Sequence, residues 1–165
     1  MTSHGSQART VAGATLGAEG LRAAITVWLV VNAVNVLQAI GFATRPFAPG
    51  VNPALGLLIA ALAIPATWAL RVFVRVGAGL RFYAGPVAFD AFVALMLVVD
   101  HLLRIEWRDP IVLEIQVPYL VLFFGSIFLM GLPMFRLDRR RWLVTAVTTC
   151  LLLVAMVYAM ATGVG

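Results

Sequence analysis

The side chains able to do acid–base or metal chemistry are few: seven acids, two histidines and one cysteine in 165 residues. They crowd in one stretch, "VVDHLLRIEWRDP", residues 98–110, which holds Asp100, His101, Glu106 and Asp109 beside Arg104 and Arg108. Glu114 follows closely. A histidine among carboxylates can pass protons near neutral pH. Asp100, His101 and Glu114 are therefore the candidate catalytic group. One histidine with two or three carboxylates is also an acceptable metal set. However, the H-E-x-x-H spacing is missing and the other histidine, His4, stands far off near the N-terminus. No metal site is assigned. The plainer reading is a solvated helix end, with Asp100 and Arg104 spaced i, i+4 for a local ion pair.

Other polar groups stand alone in apolar surroundings. Asp90 is an acid inside a hydrophobic run. A carboxylate there needs a partner, a proton or water. It pairs with an arginine from a flanking loop, or it is a functional acid. Asn32, Asn35 and Gln38 fall within an arc of about 120° on a helix turning 100° per residue. Such a stripe makes hydrogen bonds to other helices or lines a ligand path. The expected ligand-binding set is Asn32, Asn35, Gln38, Asp90, His101 and Glu114.

The elements that must position these residues are membrane helices. The chain is 62% hydrophobic and 12% charged, about half the charge of an ordinary soluble domain. Residues 1–20 are small and polar and read as a mobile tail. Five spans follow as one membrane domain within 21–163, at about 21–43, 53–76, 85–104, 110–132 and 142–162. Each is long enough for a ~30 Å hydrocarbon core. Asn52-Pro53 and Asp109-Pro110 read as a cap followed by a first-turn proline. Pro65 should kink span two. Gly77 and Gly79 should end it. "PMFRLDRRR" should be the loop between spans four and five.

All twelve basic residues are arginine. Nine of them fall on one side of the five spans: Arg9, Arg22, Arg71, Arg75, Arg81, Arg136, Arg139, Arg140 and Arg141. Arg45, Arg104 and Arg108 fall on the other. The positive-inside rule then gives a cytoplasmic N-terminus and an external C-terminus. Trp107 and Trp142 suit the two interfaces. The setting expected is the cytoplasmic (inner) membrane of a bacterium.

Several classes are excluded or disfavoured. The basic charge forms no stripe with interleaved aromatics, so nucleic acid is not a partner. The lone Cys150 permits no disulfide within the chain and no thiol pair. Ser126 in "FGSIF" sits in no nucleophile elbow, and "GAGLRF" is too short to cradle phosphate. No cofactor is expected. Ala155, Ala159 and Gly163, with Thr145 and Thr149, form a small-residue face on span five, suited to close packing or to a partner in a homo-oligomer or larger complex. Thr148 adds little to that face.

In span number and length the chain is similar to the tryptophan-rich sensory proteins, and in size to the membrane methyltransferases that act on isoprenylcysteine. The proline- and tryptophan-dense motifs of the first and the Arg-His-Pro signature of the second do not occur, so no residue role carries over.

These observations define an all-α, polytopic membrane bundle of five transmembrane helices, oriented N-in and C-out. The expected function is binding of an amphipathic or lipid-like small molecule, or of a partner membrane helix. One alternative is a membrane enzyme with its site at His101, Asp100 and Glu114 on the outer face. Another is an accessory subunit of a larger membrane complex.

Overall fold

The computed structural model describes residues 16–103, 105 and 112–163. Every regular element among them is helical, and five helices are long and apolar enough to cross a membrane. Span one is α1 (Ala18–Thr44), which begins inside the expected tail. Span two is α2 (Asn52–Ala61) followed by α3 (Ala63–Arg75). Span three is α4 (Leu80–Met96) with a π-helical turn at Leu97–Leu102. Spans four and five are α5 (Leu113–Leu137) and α6 (Arg139–Ala161).

Boundaries follow local chemistry. Pro65 has no N–H and crowds the carbonyl one turn before it, and span two is interrupted at Leu62, three residues upstream. α3 closes with Gly77 at φ 63°. The Ala78 amide donates to the Phe73 carbonyl at 2.9 Å and the Gly77 amide to the Val74 carbonyl at 3.2 Å, a Schellman closure. Asn52 does not cap α2. A 3-10 turn at Pro49–Val51 has already turned the chain, Val51 takes the cap position, and no side chain bonds there. Asn52 packs instead against Gly41 of α1, where an added Cβ would lie 3.1 Å from its Oδ1.

Two other expectations are corrected. Span three starts at Leu80, five residues before Gly85, so Pro86 lies within the helix. Span four continues through Pro133 to Leu137, so "PMFRL" is helix and Asp138 alone separates α5 from α6. Pro133 forfeits one backbone bond, but stopping there would expose more backbone in an apolar setting. Asp138 accepts from the amides of Arg140 (3.0 Å) and Arg141 (3.3 Å), capping the start of α6. The expected Asp109-Pro110 start lies outside the described residues; the described helix begins at Leu113, after extended Val112. Trp107, Arg104, Arg108 and residues 1–15 also lie outside them.

α1 is the centre of the bundle, packed against α6, α3 and α5, while α4 packs against α3 and α5. The helices meet through Val27, Val31, Val34, Phe73, Phe89, Phe92, Met130 and Leu152, all at most 3% exposed. Between helices in lipid the gain is close packing rather than removal from water. The α4–α5 contact shows this most directly. A Cβ at Gly85 would stand 2.6 Å from the Met130 amide nitrogen, so only glycine permits that approach. Further along, the Phe92 ring meets Tyr119 and Phe123 at 5.1 and 5.2 Å.

Candidate functional site

Of the crowded stretch at one end of the bundle, the described members Asp100 and His101, with Glu114 beyond it, form no shared cluster. The π-helical turn closes with the Leu103 amide donating to the Val98 carbonyl at 2.8 Å. A π turn is wider than an α turn, and Asp100 and His101 both lie within it. His101 and Glu114 are exposed, and neither bonds to the other. Glu114 lies in the first turn of α5. Asp100 is half-buried and engaged with another group. Among the described residues no three His, Cys, Asp or Glu side chains are grouped to hold a metal.

The polar stripe of span one faces α6. Asn32 Nδ2 donates to Thr145 Oγ1 (3.2 Å), and Thr148 Oγ1 donates to Asn32 Oδ1 (2.8 Å). Asn35 Nδ2 donates to Thr148 Oγ1 (3.1 Å) and Thr149 Oγ1 (3.0 Å). One turn toward the arginine-rich end, the Trp28 indole N–H donates to the Arg141 carbonyl at 2.9 Å, with the Arg141 guanidinium 5.6 Å from the ring centre. The bonded partners stay 113 to 116 positions apart, so α1 and α6 run parallel in a fixed register. Thr148, expected to add little, is a hinge point of this ladder. Gln38 is half-buried and off the seam, without a side-chain hydrogen bond. On the small-residue face of span five, Thr145, Ala155 and Ala159 are buried, Thr149 is half-buried and Gly163 is exposed, on a helix packed mainly against α1.

Asp90 sits differently from the expectation. Because α4 starts at Leu80, Asp90 lies ten residues into a span of 23, about 15 Å along it. That is mid-span, out of easy reach of the loop arginines. Its Oδ2 accepts from the Thr67 hydroxyl of α3 at 3.0 Å. Its Oδ1 is buried and has no hydrogen-bond partner. No arginine pairs with it.

A cleft that sequence reasoning missed opens at the arginine-rich end, between the first turn of α4 and the last turns of α5. It measures about 450 Å³ and is lined by Arg81, Phe82, Leu132, Pro133, Phe135 and Arg136. The Arg81 guanidinium lies 5.0 Å from the Phe82 ring centre, and Phe135 stacks edge-on with Trp142 at 5.1 Å. Phe82 and Pro133 also border a small void of about 10 Å³ behind it, against Val27 and Met130. The helix continuing past Pro133 carries Arg136 to the same level as Arg81. In the sequence the two arginines stand 55 positions apart, and each reads only as loop charge.

Fold and site together define an all-helical membrane bundle of five spans, compatible with a small multi-pass integral membrane protein. Comparison with protein-family models, with curated proteins and with solved structures finds no match.

Proposed function

We propose that this protein binds an anionic lipid, or an amphiphile of the same chemistry, in the cleft between α4 and α5. The carrying observation is the composition of that cleft: two guanidinium groups, Arg81 and Arg136, beside Phe82, Leu132, Pro133 and Phe135. A guanidinium presents a planar fork of donors that suits phosphate oxygens. The apolar wall next to it suits the start of an acyl chain. The cleft also lies at the end of the bundle where the hydrocarbon gives way to headgroups, the level at which basic side chains attract anionic lipid.

This reading moves ligand recognition away from the span-one stripe, because Asn32 and Asn35 spend their amide groups on threonines of α6. The acid–base reading of His101, Asp100 and Glu114 lacks such support, since its members do not converge.

The chain lies N-in and C-out in the cytoplasmic membrane of a bacterium on this proposal. The arginine imbalance supports that orientation, and it turns the cleft toward the leaflet facing the cytoplasm. A reporter fused to the C-terminus should read as external; a cytoplasmic signal would invert the cleft and remove this part of the proposal.

Native mass spectrometry of the purified chain tests the ligand. Wild type should retain anionic phospholipid over zwitterionic phospholipid. Arg136→Gln should lower that retention several-fold, while Arg139→Gln, outside the cleft, should leave it unchanged. Equal retention in wild type and Arg136→Gln would defeat the reading.

A further inference from the structure

The second unexplained group is Asp90, and it is independent of the cleft. The carboxyl stands mid-span in a groove between α3 and α4, flanked by side chains that face outward, among them Ile64 (75% exposed), Trp68 (46%) and Val87 (48%). Thr67 holds Oδ2 at 3.0 Å, and Oδ1 is shielded with no partner. An ionised carboxylate in hydrocarbon is costly unless something satisfies it. One hydroxyl donor meets only half of that need.

The charged and titratable groups on the neighbouring elements do not meet the rest. On α3, Arg71 lies one turn beyond Thr67 toward the arginine-rich end and Arg75 two turns beyond. On α4, Arg81 and Tyr83 lie about two turns or more below Asp90. In the π turn, Asp100 and His101 lie ten and eleven residues above. On α5, Gly85 against Met130 and Phe92 against Phe123 set the antiparallel register. Glu114 and Arg136 therefore fall toward opposite ends of the span, and Tyr119 lies on the His101 side of Asp90. None of these pairs with Asp90. Any larger donor, from a lipid-soluble ligand or a partner helix, would have to part α3 from α4 to touch Oδ1. The one species that fits the position as it stands is a proton.

We propose that Asp90 is a proton-exchange site in the middle of the bundle, with the Thr67 hydroxyl holding one carboxyl oxygen while the proton occupies the other. The reaction is simple transfer: when α3 and α4 part far enough to admit water, the carboxylate oxygen takes a proton from hydronium, whose O–H bond breaks as the carboxyl O–H forms, and the same opening lets it return the proton. The groove between α3 and α4 thereby changes its charge at mid-span without any change of partner side chain.

Infrared spectroscopy of the full chain in lipid vesicles tests this. A protonated carboxyl has a C=O stretch apart from the amide bands. At neutral pH wild type should show one such band that shifts in heavy water and shifts again when the aspartate carboxyls carry carbon-13. The band should be absent from Asp90→Asn and should weaken as the pH is raised. Thr67→Val should move its frequency, because the hydroxyl no longer bonds the group. If Asp90→Asn fails to fold, the Thr67→Val shift assigns the labelled band to Asp90, the acid that Thr67 bonds; no shift in folded Thr67→Val would then overturn the proposal. Absence of the band in folded wild type, or its persistence in folded Asp90→Asn, would overturn the proposal.

Discussion

The α1–α6 seam and the α3–α4 seam both bring polar side chains into the spans, and they treat them differently. Along α1–α6, two asparagines meet three threonines and nearly every polar atom has a partner. The exception is Asn35 Oδ1. Each threonine hydroxyl is also tied to the carbonyl of its own helix, as in Thr149 to Thr145 at 2.8 Å. Between α3 and α4 there is a single bond from Thr67 to Asp90, and a buried oxygen on an ionisable group is left over. A neutral amide network can be closed by neighbours of modest size. A carboxyl cannot be closed by one hydroxyl. The first seam is thus explained as structure, and the second leaves a remainder that chemistry must account for.

The comparison would lose its force if shape alone held every seam and hydrogen bonds counted for nothing. Gly85 measures shape. Gly85→Val drives a side chain into the Met130 backbone and should cost about 3 kcal/mol or abolish folding, read by reversible unfolding in mixed micelles. A mild effect would mean that α4 and α5 can separate freely, and the other seams would need reweighing.

Asn35→Leu measures the ladder. It removes two bonds that average about 0.6 kcal/mol each in membrane bundles, so a loss of about 1 kcal/mol is expected. A double-mutant cycle with Thr149→Ala should show coupling of about 0.6 kcal/mol. Zero coupling would mean that the ladder is incidental to the pairing of α1 and α6.

Asp90→Asn should change stability by less than about 0.5 kcal/mol, since an amide carbonyl can still accept from Thr67 and needs less satisfaction than a carboxylate. A cost matching that of Asn35→Leu would make the two seams alike. Gln38→Leu should have the smallest effect, within about 0.3 kcal/mol in the same assay, because the half-buried Gln38 side chain makes no hydrogen bond that the substitution would remove. A loss as large as that of Asn35→Leu would put Gln38 in the ladder after all.

Much of the ladder was legible before any fold. Trp28, Asn32 and Asn35 recur at i, i+4, i+7 on α1, and Arg141, Thr145 and Thr148 repeat that spacing on α6. Matching periods on two helices are a pairing signal, and reading the stripe alone left it unused. Asn32 and Asn35 of the stripe share the seam, while Gln38 at the edge of the arc lies off it. Which neighbour it faced was not.

Sequence alone determined the number of spans and their helical class, because hydrophobic length and the need to satisfy every backbone group in lipid leave no other spanning structure for such runs. It also determined the end of α3, since a residue at positive φ is best supplied by Gly77. Tertiary structure decided the rest. Proline and glycine read as breakers only when no neighbour compensates, so Pro86 and Pro133 remain within helices because α4 and α5 pack closely around Gly85. That continuation moved Asp90 to mid-span and carried Arg136 up beside Arg81. Neither distance along the chain nor local propensity contains those placements, because they depend on where a second helix lies and how near it can come.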